Sequence, residues 1–287
     1  MHRAPCTLHC APCTLHCART VTRLFSGAVL IALAVAVVWF APRAIFEAVA
    51  FALLFAVTQE LIGLCRAGGV AVPRWPTVAV TLLTLATFSG ILSSFAPQLT
   101  VDAVLLIAML AMAFVAMSGW RGGSAALAEV SASLFPSLYL ALPVGSMIAI
   151  REQGPEPLFL LMLTIIVSDT AQYYTGRLAG RRPLAPSISP RKTIEGAVGG
   201  VVFGTALFAI VGAWWLPAVP VAARVGIGLG VVAVGIAGDL FESLLKRSVG
   251  VKDSSSIIPG HGGVLDRVDA LLFAAPFFYV VGHFIRV

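Results

Sequence analysis

The sequence predicts an all-α, polytopic integral membrane protein, and three observations carry that prediction. Of its 287 residues, 59% are hydrophobic and 11% are charged, with a mean hydropathy of +0.97. A water-soluble chain of this length needs far more polar surface. The apolar residues gather in runs close to the roughly 20 residues that a helix needs to cross a bilayer. The basic residues are divided very unequally among the segments between those runs.

From the amino terminus, spans are expected near 24–40, 44–64, 76–95, 99–118, 125–150, 157–175, 197–216, 221–244 and 270–286, about nine in all. Only Ala41-Pro42-Arg43 separates the first two. The fifth contains Pro136 and Pro143, which predict a kink or a break because proline removes a backbone donor and crowds the preceding turn. With nine spans, the amino terminus and the loops after even-numbered spans share one side. That side holds fifteen of the 19 Lys and Arg residues, leaving Arg43, Arg151, Arg224 and Arg286 on the other. The positive-inside rule then makes the basic side cytoplasmic, in a cell inner membrane or plasma membrane, and puts the loops at 176–196 and 245–269 on it. The net charge of +6 is accounted for by anionic headgroups and phosphates, with no nucleic-acid partner implied.

Three regions follow: a tail over 1–23 expected to lack packed structure, an amino-terminal bundle over 24–150, and a catalytic region over 151–287 with motif loops at 168–196 and 239–269. In the tail, Ala4-Pro5-Cys6-Thr7-Leu8-His9-Cys10 is repeated exactly as 11–17, placing four of the five cysteines in one tract. Alternating Cys and His are zinc ligands, but a perfect tandem heptad reads as a short duplication or a misassigned start. Cytoplasmic placement argues against disulfides there. The apolar stretch from Leu24 to Phe40 is longer than a usual signal-peptide core, so a signal anchor is expected rather than a cleaved leader.

Chemistry is concentrated near the carboxy terminus. Ten ionisable residues lie between 239 and 269, in a chain that is otherwise poor in charge. A membrane segment sheds charge unless the charge has work to do. The run Ser243-Leu244-Leu245-Lys246-Arg247, then Lys252-Asp253, then Pro259-Gly260-His261-Gly262-Gly263-Val264-Leu265-Asp266-Arg267-Val268-Asp269 resembles the signature of the phosphatidate cytidylyltransferases, or CDP-diacylglycerol synthases. A second block is similar to the same family: Ser168-Asp169-Thr170-Ala171-Gln172-Tyr173, Gly176-Arg177, and 184–196 with Ser189-Pro190-Arg191-Lys192-Thr193 at its centre. Gln172 departs from the family, which usually has a small residue there. The resemblance covers roughly 168–270. It implies transfer of CMP from CTP to phosphatidic acid, yielding CDP-diacylglycerol and pyrophosphate with Mg²⁺ or Mn²⁺, and implies Asp239 and Asp266 as metal ligands.

The residue types suit that reaction. An anionic phosphate oxygen must attack an anionic α-phosphorus, which calls for charge neutralisation and alignment by metal ions and cationic side chains. Hard cations take oxygen ligands. Asp269 and Glu242 each lie three residues from a leading acid, on the same face of a helix; Asp269 and Lys246 join Asp239 and Asp266 as candidate catalytic residues. Asp169, Ser189, Arg191, Lys192, Arg247, Lys252, His261 and Arg267 are the candidate substrate-binding residues, His261 within a glycine-rich turn whose N–H groups can approach phosphate. The plain alternative for Asp239 and Asp266 is an ion pair with Lys246 or Arg267. Glu47, Glu60, Asp102 and Glu129 have no motif support and are expected to be structural or to mark span edges. The competing functions are cytidylyl transfer to another lipid phosphate and ion-coupled transport. The expected partners are CTP, phosphatidic acid and membrane lipids, and a homodimer is compatible with the reading.

Overall fold

A computed structural model describes residues 32–285, apart from 121, 123–124, 256 and 258–261. The tandem Cys/His heptad, the start of the first expected span and His261 therefore lie outside the described residues.

The chain is a bundle of helices. Helix α1 (residues 32–40) is followed across Pro42 by α2 (Arg43–Ala67). The expected span at 76–95 is divided into α3 (Arg74–Ala86) and α4 (Gly90–Phe95). The division has a local cause. The hydroxyls of Thr87 and Ser89 donate to the carbonyls of Thr84 (2.7 Å) and Ala86 (2.9 Å), offering the backbone an alternative to helix just where Gly90 follows. Next comes α5 (Val101–Gly119). The proline-bearing span is then one continuous helical stretch: α6 (Ala126–Pro136), a π turn (Ser137–Ala141) and α7 (Leu142–Glu152). The widened turn absorbs the mismatch created by Pro136, so the helix is bulged rather than broken. Helix α8 (Pro155–Ala179) leads through a short hairpin to α9 (Ile194–Trp215), α10 (Val221–Ser248) and α11 (Leu265–Ile285).

Among the described residues, six helical stretches are long and apolar enough to cross a membrane: α2, α5, the α6–α7 stretch, α8, α9 and α10. The expected count of about nine spans is thus not carried by length and composition. The mostly helical fold matches expectation, with one short hairpin as an addition. Strand β1 (Pro183–Ala185) pairs antiparallel with β2 (Ser189–Thr193), Pro183 opposite Thr193 and Ala185 opposite Ser189. The segment links α8 to α9, and its two short strands satisfy one another's backbone groups.

Two apolar clusters hold the bundle. One joins α8, α9, α10 and α11 through residues such as Leu161, Phe208, Val231 and Phe278; the other joins α2, the π turn, α7 and α11 through Leu61, Leu140, Val144 and Leu272. Helix α11 belongs to both, so packing is continuous across position 150. Among the described residues the most extensive helix contact is α8 against α9, where small residues let backbones meet. A Cβ added at Gly199 or Gly200 of α9 would stand 2.3 Å from Thr175 or 2.4 Å from Gln172. Burying these faces brings the carboxy-terminal end of α8, the amino-terminal end of α9, the end of α10 and the start of α11 to one end of the molecule.

Candidate active site

The first motif block reaches this end through the hairpin. Thr193 caps α9, its hydroxyl oxygen accepting from the N–H of Gly196 at 3.1 Å. Glu195 accepts from the N–H groups of Arg181 (3.0 Å) and Arg182 (3.2 Å), which binds the start of the hairpin to the helix. Strand β2 then carries Ser189, Arg191 and Lys192. Lys192, half-buried, forms an ion pair with Asp239 of α10. This contact brings residues 47 positions apart together and joins the two blocks.

Around that pair stand further acids. Asp169 of α8 and Asp269 of α11 are each within electrostatic reach of Asp239. Gln172 donates to Asp169 at 3.0 Å and so orients its carboxylate. Gly238 permits the approach of α10 to α11, since a Cβ there would lie 2.8 Å from the carbonyl oxygen of Asp269. Three helices and one strand thus each contribute a charged side chain to one locus.

A second locus lies between α10 and the start of α11. Lys246, only 8% exposed, pairs with Glu242 one turn earlier and with Asp266 at 2.5 Å. Glu242 is fully buried, so Lys246 provides the compensation that a buried carboxylate requires. Asp266 is heavily engaged. Besides Lys246, it accepts from the N–H of Ser254 at 3.1 Å, the hydroxyl of Ser254 at 3.0 Å and the N–H of Gly263 at 2.7 Å. Gly262 holds φ +81°, a conformation that favours glycine, and this bends the chain so that Gly263 can make its bond.

One more acid, Glu60, and one serine, Ser254, matter here that the sequence reading does not single out. Glu60 of α2, 4% exposed, accepts from the hydroxyls of Ser254 (3.0 Å) and Ser255 (2.6 Å) and from the N–H groups of Val264 (2.9 Å) and Leu265 (2.8 Å). A carboxylate inside an apolar run was the available signal for Glu60, and its spacing to the motif was not. Glu242 and Ser254 belong to the same network. The remaining candidates are at the surface: Arg191, Arg247, Lys252 and Arg267 are exposed and Ser189 is half-buried. Arg247 donates to the carbonyl of Val251 at 2.8 Å, which fixes the turn after α10.

The donor set suits a hard cation. Asp239 offers one oxygen to Lys192, and its side chain is about a quarter exposed. Asp266 would have to give up Lys246 to ligate. Among the described residues no three Asp, Glu, His or Cys side chains converge closely enough to hold a metal ion by themselves. Magnesium commonly needs only one or two carboxylates when substrate phosphates supply the rest.

Comparison with known proteins identifies the family. The pattern described as the Cytidylyltransferase family matches residues 21–285. A phosphatidate cytidylyltransferase of Aquifex aeolicus is 36% identical over 261 residues, covering 91% of this chain and 90% of the relative. One of Mycobacterium bovis is 33% identical over 281 residues, with 91% and 86% covered. One of Bacillus subtilis is 38% identical over 154 residues, 53% of this chain and 57% of its own length. With a match that runs through the amino-terminal helices as well as both motif blocks, the chain belongs to the cytidylyltransferase family of nucleotidyltransferases.

Proposed function

We propose that this protein transfers CMP from CTP to phosphatidic acid, giving CDP-diacylglycerol and pyrophosphate, at the cytoplasmic face of the membrane. The observation that supports it best is the Lys192–Asp239 pair, which joins the two motif blocks beside Asp169 and Asp269. An oxygen of the lipid phosphomonoester attacks the α-phosphorus of CTP; one P–O bond forms, the bond to the β-phosphate oxygen breaks, and pyrophosphate leaves with the electron pair.

Lys192 and Lys246 hold ammonium groups at the two loci, where they exchange a carboxylate for a substrate phosphate. Arg191, Arg247, Lys252 and Arg267 extend the positive surface toward the triphosphate, with Ser189 and His261 as further phosphate contacts. Asp239 and Asp266 would hold Mg²⁺ or Mn²⁺, with Asp169 and Asp269 alongside; the ion supplies neutralisation of the phosphate charge as it is transferred. Glu242 keeps Lys246 in place, and the apolar wall of α10 and α11 limits access of water. Because phosphatidic acid stays in the bilayer while CTP arrives from water, the site must open toward both. Placement on the cytoplasmic side rests on the basic-residue bias of the sequence.

The test is direct: purified protein in detergent is given α-labelled CTP and a panel of lipid phosphates. Label is expected in CDP-diacylglycerol, with one pyrophosphate released per lipid formed, when phosphatidic acid is the acceptor. Preferential labelling of another lipid phosphate would replace the acceptor, and no labelled lipid from any acceptor would overturn the reading.

A further inference from the structure

Glu60 lies in the amino-terminal half of the chain, outside every motif, yet it makes four hydrogen bonds to a segment about 200 residues away. Each Glu60 oxygen takes one backbone N–H and one serine hydroxyl: Oε1 from Val264 and Ser255, Oε2 from Leu265 and Ser254. These amides precede or open α11 and have no carbonyl partner within the helix, so a carboxylate there satisfies them and complements the helix dipole. The fit is close. A Cβ at Gly263 would come within 2.6 Å of a Glu60 oxygen and 1.9 Å of the Ser254 hydroxyl.

Ser254 connects this clamp to the site. Its hydroxyl stands 3.0 Å from Glu60 and 3.0 Å from Asp266, while its N–H donates to Asp266. The single hydroxyl proton serves one carboxylate at a time, and the backbone bonds keep both in place. Among the described residues, the donors that hold Asp266, apart from Lys246, are Ser254, itself a Glu60 contact, and Gly263, next to the Glu60 contact at Val264.

We infer that Glu60 is a positioning residue for nucleotidyl transfer: it fixes Ser254, Ser255 and the entry to α11 at Val264 and Leu265, and through them the orientation of the Asp266 carboxylate. This inference rests on Asp266 being part of the active centre. It couples the amino-terminal bundle to the catalytic end, and it gives a use to an acid that an apolar span would otherwise exclude.

The experiment compares the full-length wild-type protein with Glu60→Gln and Asp266→Asn. Glutamine keeps the size but turns one acceptor into a donor facing donors. For Glu60→Gln, kcat is expected to fall at least tenfold and KM for CTP to rise, with KM for phosphatidic acid unchanged. Hydrogen exchange in peptides covering 262–266 is expected to accelerate while α9 stays as in the wild type. A residue that only stabilised the fold would reduce the yield of active protein and leave the two KM values alone. If Glu60→Gln does not fold, the double variant Ser254→Ala/Ser255→Ala carries the test, with kcat expected at least threefold lower and the same peptides exchanging faster. Turnover within twofold of wild type and unchanged exchange, in whichever variant folds, would overturn the inference. Near-normal turnover in Asp266→Asn would instead sink the active-site assignment on which it stands.

Discussion

Helices α5 and α10 are both long and apolar enough to cross a membrane, and they use that property in opposite ways. Helix α5 carries one charged residue, Asp102 at its start, and turns Leu106, Leu110, Phe114 and Met117 outward. Helix α10 turns charge inward: Glu242 and Lys246 are buried, and Asp239 meets Lys192. Apolar side chains facing lipid need no partner, whereas a buried charge must be matched. Hydropathy therefore finds both helices but distinguishes neither. What separates them is where the fold bears the cost of desolvating a charge and compensates it.

That contrast can be broken most completely at the level of topology. In a cysteine-free background, Ser187→Cys and Asp253→Cys are expected to label with a membrane-impermeant thiol reagent from the cytoplasmic side, and Gln153→Cys only from the other. Labelling of Ser187→Cys and Asp253→Cys from different faces would mean that the two motif loops cannot share a site.

The next effect is on turnover. Asp239→Asn and Asp266→Asn should each leave folded protein and lower kcat by about 100-fold or more, the usual scale for loss of a key electrostatic group. Near-normal rates at saturating metal would sink that assignment. For stability, Lys246→Met should cost about 3–5 kcal/mol, because Glu242 and Asp266 are left buried without their cation. An unchanged denaturation midpoint would show that the pair contributes little. On α5, Phe114→Ala should change stability by no more than about 0.5 kcal/mol and leave turnover alone. A large effect there would show that its outward face has a partner.

The sequence made some of this readable and hid the rest for physical reasons. The helices and both motif blocks stood out because polar residues are costly in an apolar chain, so their persistence is a signal. Pairing of Lys192 with Asp239 was not visible, since it depends on the approach of β2 to α10 and not on local spacing. The hairpin escaped notice because its strands are only three and five residues long and lie inside a loop. Pro136 suggested a kink but not its resolution as a π turn, which depends on neighbours accepting the extra residue. Glu60 was legible as an anomaly, a carboxylate in an apolar run, and illegible as a clamp, because its four donors come from the far end of the chain.

The central claim is that the two motif blocks form one catalytic centre, and a double-mutant cycle on Lys192 and Asp239 tests it most directly. Turnover of labelled CTP with phosphatidic acid would be measured for Lys192→Ala, Asp239→Asn and the combination, with folding checked by thermal denaturation in detergent. Residues acting as a unit lose their joint contribution once either is removed. The double variant is therefore expected to fall within about threefold of the worse single variant. Losses that multiply, as for two independent sites, would contradict the account.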